Sequence, residues 1–117
     1  MAVVDKYQAG MDGTVVVVDG DIVTNIIPPH LQGPNFDYGD KFKTLNIYKF
    51  SKEFIDTSFR KLLSFYTTVY DNNCYYELIL GIIVYMHYAQ IYACNIEGSL
   101  WYEVDDPNDL RIAEILF

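Results

Sequence analysis

Two runs of β-branched residues near the start of the chain constrain the fold most strongly, because a turn signal lies between them. The runs cover 14–18 and 22–27, and the tripeptide Asp-Gly-Asp occupies 19–21. Asp-Gly between β-branched runs is typical of a tight β-hairpin. Two prolines at 28 and 29 end the second run, since proline cannot donate to a strand ladder. The sequence therefore predicts an antiparallel hairpin, followed by a loop over 30–41.

The rest of the chain mixes helical and strand patterns. Apolar residues recur at helical spacing between Phe54 and Tyr66, after Ser51 as the N-cap, and again between Tyr75 and Met86. The second helix is apolar on nearly all sides, which predicts that it is buried. Further strands are predicted over 42–50 and 90–96, whereas 1–13 are assigned to no element. This mixture predicts a layered α/β fold in which helices cover the strands of a sheet.

An acidic stretch near the C-terminus predicts a short strand over 101–105 followed by a helix. Asp106 is a good N-cap and Pro107 fits the first helical position. Glu103 and Asp105 would share one face of the strand, because side chains alternate along it. Two adjacent carboxylates could form a binding site for Mg²⁺ and phosphate. The alternative is a well-capped terminal helix whose acidic residues are merely solvated.

Four segments together resemble a known family. They are 2–16, which includes Gln-Ala-Gly-Met-Asp-Gly-Thr; 43–51; 73–77, Asn-Cys-Tyr-Tyr-Glu; and 101–106, Trp-Tyr-Glu-Val-Asp-Asp. In this order they resemble the second half of a sugar-phosphate/phosphocholine-type nucleotidyltransferase domain, of the bacterial branch often fused to a phosphonate-pathway aminotransferase or mutase. The resemblance implies that 1–117 are a single domain, the C-terminal portion of a Rossmann-like, layered α/β/α fold. It also implies half of a mostly parallel sheet with a β-hairpin excursion, and no N-terminal nucleotide-binding half.

The function implied by the resemblance is the transfer of a nucleotidyl group, CMP, from a nucleoside triphosphate. The acceptor would be a phosphate or phosphonate such as phosphocholine or 2-aminoethylphosphonate, Mg²⁺ the cofactor and pyrophosphate the second product. The family's Gly-rich loop and first metal-binding aspartate lie upstream of the segments that match, so we expect this portion alone to be inactive. The alternative is a catalytically silent module for oligomerisation. A half-domain exposes sheet edge and apolar surface, so we expect a homo-oligomer.

The resemblance also implies roles for individual residues. Asp105 matches the aspartate that helps to hold the catalytic Mg²⁺. Lys43 begins a strand after a loop, where a cation could contact phosphate, although an ordinary solvated lysine is an equal alternative. Asp12 and Gly13 lie in the segment next to the active site, and Gly13 would allow close approach of the backbone.

Other residues match positions near the acceptor. Glu77 and Glu103 would bind an amine-bearing acceptor, and aromatic rings could face its cationic group. The rings are those of Tyr75, Tyr76, Trp101 and Tyr102. The alternative is an aromatic core cluster with a capping glutamate.

Composition limits the partners and the compartment. Eight Lys+Arg against sixteen Asp+Glu give a net charge of −8, which argues against binding to nucleic acid or an anionic membrane without help. The longest apolar run, 78–86, is too short to cross a bilayer. Cys74 and Cys94 have no metal-binding spacing, and we expect two free, buried thiols in a reducing cytoplasm.

Overall fold

A computed structural model describes all residues, 1–117, and contains one five-stranded sheet in the order β3-β2-β4-β1-β5. The strands are β1 Ala2–Lys6, β2 Val15–Asp19, β3 Ile22–Ile27, β4 Phe42–Tyr48 and β5 Ala93–Asn95. Helices and strands share the chain, so the predicted α/β class is confirmed. Three of the four strand pairings are antiparallel, and only β1 and β5 run parallel. The expectation of a mostly parallel sheet is therefore wrong, because β4 inserts in antiparallel orientation between β1 and β2.

The predicted hairpin is confirmed as β2 and β3. Val15 pairs with Ile27 and Asp19 with Ile22, and Gly20 in the turn has a φ of +64°. A positive φ is the conformation that glycine adopts without the steric penalty of a Cβ atom.

The predicted helices are confirmed, with one irregularity. Residues 52–69 form a continuous helical segment made of α1 Lys52–Phe54, a π-helical stretch Ile55–Phe59 and α2 Arg60–Val69. The Ser51 hydroxyl caps it by accepting a hydrogen bond of 3.0 Å from the Phe54 N–H. Helix α3, Tyr76–Tyr85, follows, and a 3₁₀ turn at Pro29–Leu31 lies within the predicted loop.

The core lies between α3 and the sheet. Its buried members are Ala2, Val4, Val16, Val23, Ile26, Leu80, Val84 and Ile91. Gly81 allows α3 to pack closely on β3, since a Cβ atom there would lie 3.4 Å from the Ile26 carbonyl oxygen. Four apolar residues of α3 are buried, as its apolar sequence predicts: Ile79, Leu80, Ile83 and Val84.

One strand has no counterpart in the sequence prediction, and two predicted strands differ from the structure. Strand β1 lies within 1–13, for which the sequence predicts no element, because three apolar residues followed by Asp5 and Lys6 form too short a pattern; pairing with β4 and β5 stabilises it. The strand predicted over 90–96 is shorter, Ala93–Asn95. The strand predicted over 101–105 does not form, because no neighbouring strand bonds to that segment.

The last helix, α4 Pro107–Leu116, begins as predicted. Asp106 is its N-cap and accepts a hydrogen bond of 2.8 Å from the Asp109 N–H. No residue of α4 is buried, and its large apolar side chains are exposed to solvent: Leu110, Ile112, Ile115 and Leu116. None of the helices has the combined length and apolar character that crossing a bilayer requires.

Both cysteines are free, as predicted. Cys94 is exposed and Cys74 half-buried, so the expectation that both thiols are buried is wrong.

Candidate functional site

Three carboxylates from distant parts of the sequence meet at one end of the sheet. Oxygen atoms of Asp12, Glu103 and Asp105 all lie within 4.8 Å of one another. Asp12 belongs to the connection from β1 to β2, whereas Glu103 and Asp105 belong to the segment before α4. We call these three residues the acidic cluster. The sequence predicts that Glu103 and Asp105 share one face of a strand. In the structure they lie close together on a segment that is not a strand.

We call residues 101–105 the acidic arm, and side-chain bonds to the sheet hold it in place. The Trp101 indole N–H donates to the Asp5 carboxylate at 2.8 Å, and the Asn46 amide donates to Glu103 Oε1 at 2.9 Å. The Asp105 N–H donates to the carboxylate of Asp109 at 3.1 Å. Because the arm has no strand ladder, these contacts determine where its carboxylates lie.

Lys43 places a buried positive charge against the cluster. Its side chain is 2% exposed, and Nζ lies 3.4 Å from Glu103 Oε2 and also donates to the Thr44 carbonyl. The alternative of an ordinary solvated lysine is therefore wrong. Gly13 makes room for this ammonium: its φ is +94°, and a Cβ atom there would lie 3.2 Å from Nζ.

Two hollows share part of their lining. The first hollow, about 560 Å³, and the second hollow, about 630 Å³, share the three residues of the acidic cluster and Lys43 as lining. The rest of the first hollow is lined by Asp5, 8–11, 98–102, Asp109 and Leu116. The rest of the second is lined by Gly13, Thr14, Pro29, Asn46 and 75–77. The acidic cluster and Lys43 thus form a wall that both hollows contact.

Glu77 lines the second hollow and is 5% exposed. Its Oε2 accepts hydrogen bonds from the Thr44 hydroxyl at 3.0 Å and from the Tyr48 hydroxyl. Burial, reinforced by the neighbouring Glu77 charge, raises the pKa of Tyr48 far above its usual value. Burial also raises the pKa of Tyr76, whose ring packs edge-on against that of Tyr48. Glu77 is thus a bonded carboxylate and joins β4 to the start of α3.

The four aromatic rings that could face a cation do not line one hollow. Tyr75 and Tyr76 line the second hollow, whereas Trp101 and Tyr102 line the first. An acceptor in one hollow would therefore contact one pair of rings and not all four.

Two residues of the site were not singled out from the sequence. Asp5 is 3% exposed and accepts hydrogen bonds from the Trp101 indole, the Gly98 N–H and the Lys6 N–H. An aspartate directly after the short apolar run 2–4 is the available signal for it. Asn46, an amide inside a strand, gave a comparable signal.

The chain is similar in sequence to part of a longer known protein. Over 108 residues, 90% of its length, the chain is 31% identical to CMP-5′-(3-aminopropyl)phosphonate synthase of Streptomyces rubellomurinus. The chain spans 17% of the length of that protein. No protein-family model matches the chain, and no solved structure matches it.

Proposed function

We propose that this chain is the C-terminal portion of a cytidylyltransferase domain. The enzyme transfers CMP from a nucleoside triphosphate to an oxygen of a small phosphate or phosphonate, such as phosphocholine or 2-aminoethylphosphonate, and releases pyrophosphate. The 31% identity to a CMP-phosphonate synthase supports the transferred group and the class of acceptor. We assign catalytic roles to Asp105 and Lys43, and substrate contacts to Glu77, Glu103, Tyr76, Trp101, Asp12 and Gly13.

The observation that carries the proposal is the shared wall between the two hollows. Two substrates that react with each other must meet at one point, and positioning supplies most of the catalysis in such a transfer. The acidic cluster and Lys43 line both hollows. A nucleotide on one side and an acceptor on the other would meet at these four residues.

The donor set suits Mg²⁺. This ion prefers oxygen ligands at about 2.1 Å, so two ligands on opposite sides of it lie about 4.2 Å apart. The cluster's carboxylate oxygens lie within 4.8 Å of one another, and the side chains of Asp12 and Asp105 are exposed and free to adjust. Asp105, with Asp12 and Glu103, would hold the ion, which supplies positive charge for phosphate oxygens when bound.

The protein's own groups then have distinct tasks. In the reaction a bond forms between the acceptor oxygen and the α-phosphorus, and the bond from that phosphorus to pyrophosphate breaks. Negative charge accumulates on the departing oxygen, and the fixed ammonium of Lys43 is suited to stabilise it. Gly13 allows that ammonium to lie close to the backbone. Glu103 holds the ammonium in place through its Oε2 atom.

The direct test is product formation by the full-length product of the gene. The protein is incubated with CTP, Mg²⁺ and either phosphocholine or 2-aminoethylphosphonate, and the CMP conjugate is identified by mass spectrometry alongside pyrophosphate. The proposal predicts equal amounts of both products, with one acceptor preferred. Release of pyrophosphate without a conjugate, or no release with either acceptor, would count against it.

A second candidate function is association without catalysis, and the exposed side of α4 favours it. Ile115 is 84% exposed, Phe117 69% and Leu110 50%, although all three are apolar. Exposed apolar surface commonly marks a protein–protein contact. A homo-oligomer formed through α4 is compatible with either function, and the assay of product formation separates them.

A further inference from the structure

An irregularity in the middle of β4 aligns with the acidic cluster. The pairing of β4 with β1 shifts register between Val4↔Thr44 and Ala2↔Tyr48, so that three residues of β4 lie opposite one residue of β1. At the centre of this bulge Asn46 has a φ of +59°. A positive φ is strained for any residue with a side chain, although asparagine tolerates it better than most.

The bulge changes which side of the strand Asn46 faces. Residues 43 and 46 of a regular strand would point to opposite faces, because side chains alternate with a period of two. Here both contact the same glutamate: Lys43 lies 3.4 Å from Glu103 Oε2, and the Asn46 amide donates to Oε1 at 2.9 Å. A bulge re-aims a side chain in this way, and bulges are frequent beside active sites.

Sheet pairing alone does not account for the strained residue. The chain does not reverse direction at Asn46, and β4 continues on both sides of it. Its side chain makes its hydrogen bond to a residue 57 positions away, in an arm that has no ladder bonds of its own. The positive φ thus directs the Asn46 side chain towards Glu103 and allows this contact.

We propose that Asn46 is a positioning residue that fixes Glu103 for the divalent cation of the acidic cluster. The inference rests on the proposed function, because it presupposes that the cluster binds a cation. A hydrogen bond to one carboxylate oxygen leaves lone pairs available and fixes the direction in which they point. Partners of this kind beside metal ligands commonly change metal affinity by about 10-fold or more.

The test replaces Asn46 by glycine and measures cation affinity and stability together. Asn46→Gly relieves the backbone strain but removes the amide. We expect a melting temperature equal to or above that of the wild type and affinity for Mn²⁺ reduced about 10-fold. Free Mn²⁺ is measured by electron paramagnetic resonance, and Trp101, the single tryptophan, reports on the arm by fluorescence.

A matched control exists in the chain. His87, at the end of α3, also has a positive φ, of +57°, and lines neither hollow. His87→Gly should change stability in the same direction and leave Mn²⁺ affinity unchanged. In a Glu103→Gln background Asn46→Gly should have no further effect on affinity, since the group that it positions has lost its charge.

The outcomes separate this inference from the proposed function. If Asn46→Gly binds Mn²⁺ like the wild type while Asp105→Asn does not bind it, Asn46 only shapes the bulge in β4 and the inference is overturned. If the wild type does not bind Mn²⁺, or if Asp105→Asn binds it unchanged, the proposed cation site fails and the inference fails with it.

Discussion

Gly13 shows how one backbone conformation fixes a charged side chain. Its φ of +94° is open to glycine, and the missing Cβ leaves the space that the Lys43 ammonium occupies. Lys43 is nearly fully buried, so this position is determined by packing and by Glu103 rather than by solvent. Sequence alone indicated that Gly13 permits close approach, but not that the approaching group would be a lysine.

Gly13→Ala should therefore lower both the stability of the protein and its nucleotidyl-transfer activity. Alanine at this φ costs about 1–3 kcal/mol, and its methyl group would displace Nζ. Gly20→Ala is the matched control, because Gly20 also has a positive φ, but a Cβ atom there meets no neighbour within 4 Å. Both variants should have a lower melting temperature than the wild type. Nucleotidyl transfer should fall only in Gly13→Ala, and equal activity in both would argue against a role for the Lys43 position.

At the scale of elements, two connections that are not strand ladders organise the site. Tyr48 and Thr44 of β4 hydrogen-bond to Glu77, which begins α3, and Asp5 of β1 receives the Trp101 indole of the acidic arm. Each connection is a buried carboxylate that accepts hydrogen bonds from groups distant in sequence. Removing a donor from such a group leaves it undersatisfied, which is costly in the interior of a protein.

Tyr48→Phe should give a stability difference that depends on pH. At neutral pH the free energy of unfolding of the variant should be about 1–3 kcal/mol lower than that of the wild type, because Glu77 retains only Thr44 as a side-chain donor. The folded-state pKa of Tyr48 is raised above its ordinary value of 10.0, so its contribution is full below pH 10 and is lost as the pH rises further. Urea unfolding should show that the difference in free energy of unfolding between wild type and variant is smaller at pH 11 than at pH 8. A constant difference would contradict the link.

Asp5→Asn should loosen the acidic arm. Removal of the charge weakens the bond to the Trp101 indole, because hydrogen bonds to ionised acceptors are roughly twice as strong as neutral ones. We expect red-shifted tryptophan emission and weaker Mn²⁺ binding. Asp19→Asn removes the same charge from an exposed strand end and should change neither. Unchanged emission in Asp5→Asn would show that the arm is held by its other contacts.

At the scale of the whole molecule, the sequence predicted local features and missed those that depend on distant partners. The hairpin, the Ser51 and Asp106 caps and the buried α3 have local signals, since turn residues and periodicity act over a few positions. Strand β1 and the unpaired arm depend on which segments meet in three dimensions. The local acidic pattern indicates Glu103 and Asp105, and the resemblance adds Asp12, but their convergence on Lys43 required the fold.

The uncovered side of α4 also belongs to this scale. We expect self-association through it, because solvent-exposed apolar side chains recur along the helix. Ile115→Lys should lower the average mass measured by light scattering at micromolar concentration. Leu31→Lys, at an apolar residue that is 58% exposed in the 3₁₀ turn after β3, should not lower it. A monomeric wild type would contradict the association.

The most direct test of the central claim compares Asp105 with Asp106 in the full-length protein. Asp105→Asn and Asp106→Asn each remove one negative charge, and asparagine remains a good N-cap, so neither should unfold α4. Thermal melts verify this, and pyrophosphate release gives kcat for each. Asp105→Asn should reduce kcat at least about 100-fold, with partial recovery at high Mg²⁺, while Asp106→Asn retains most of the activity. If Asp105→Asn remains as active as the wild type, the acidic arm is only the start of a helix and the proposed site is wrong.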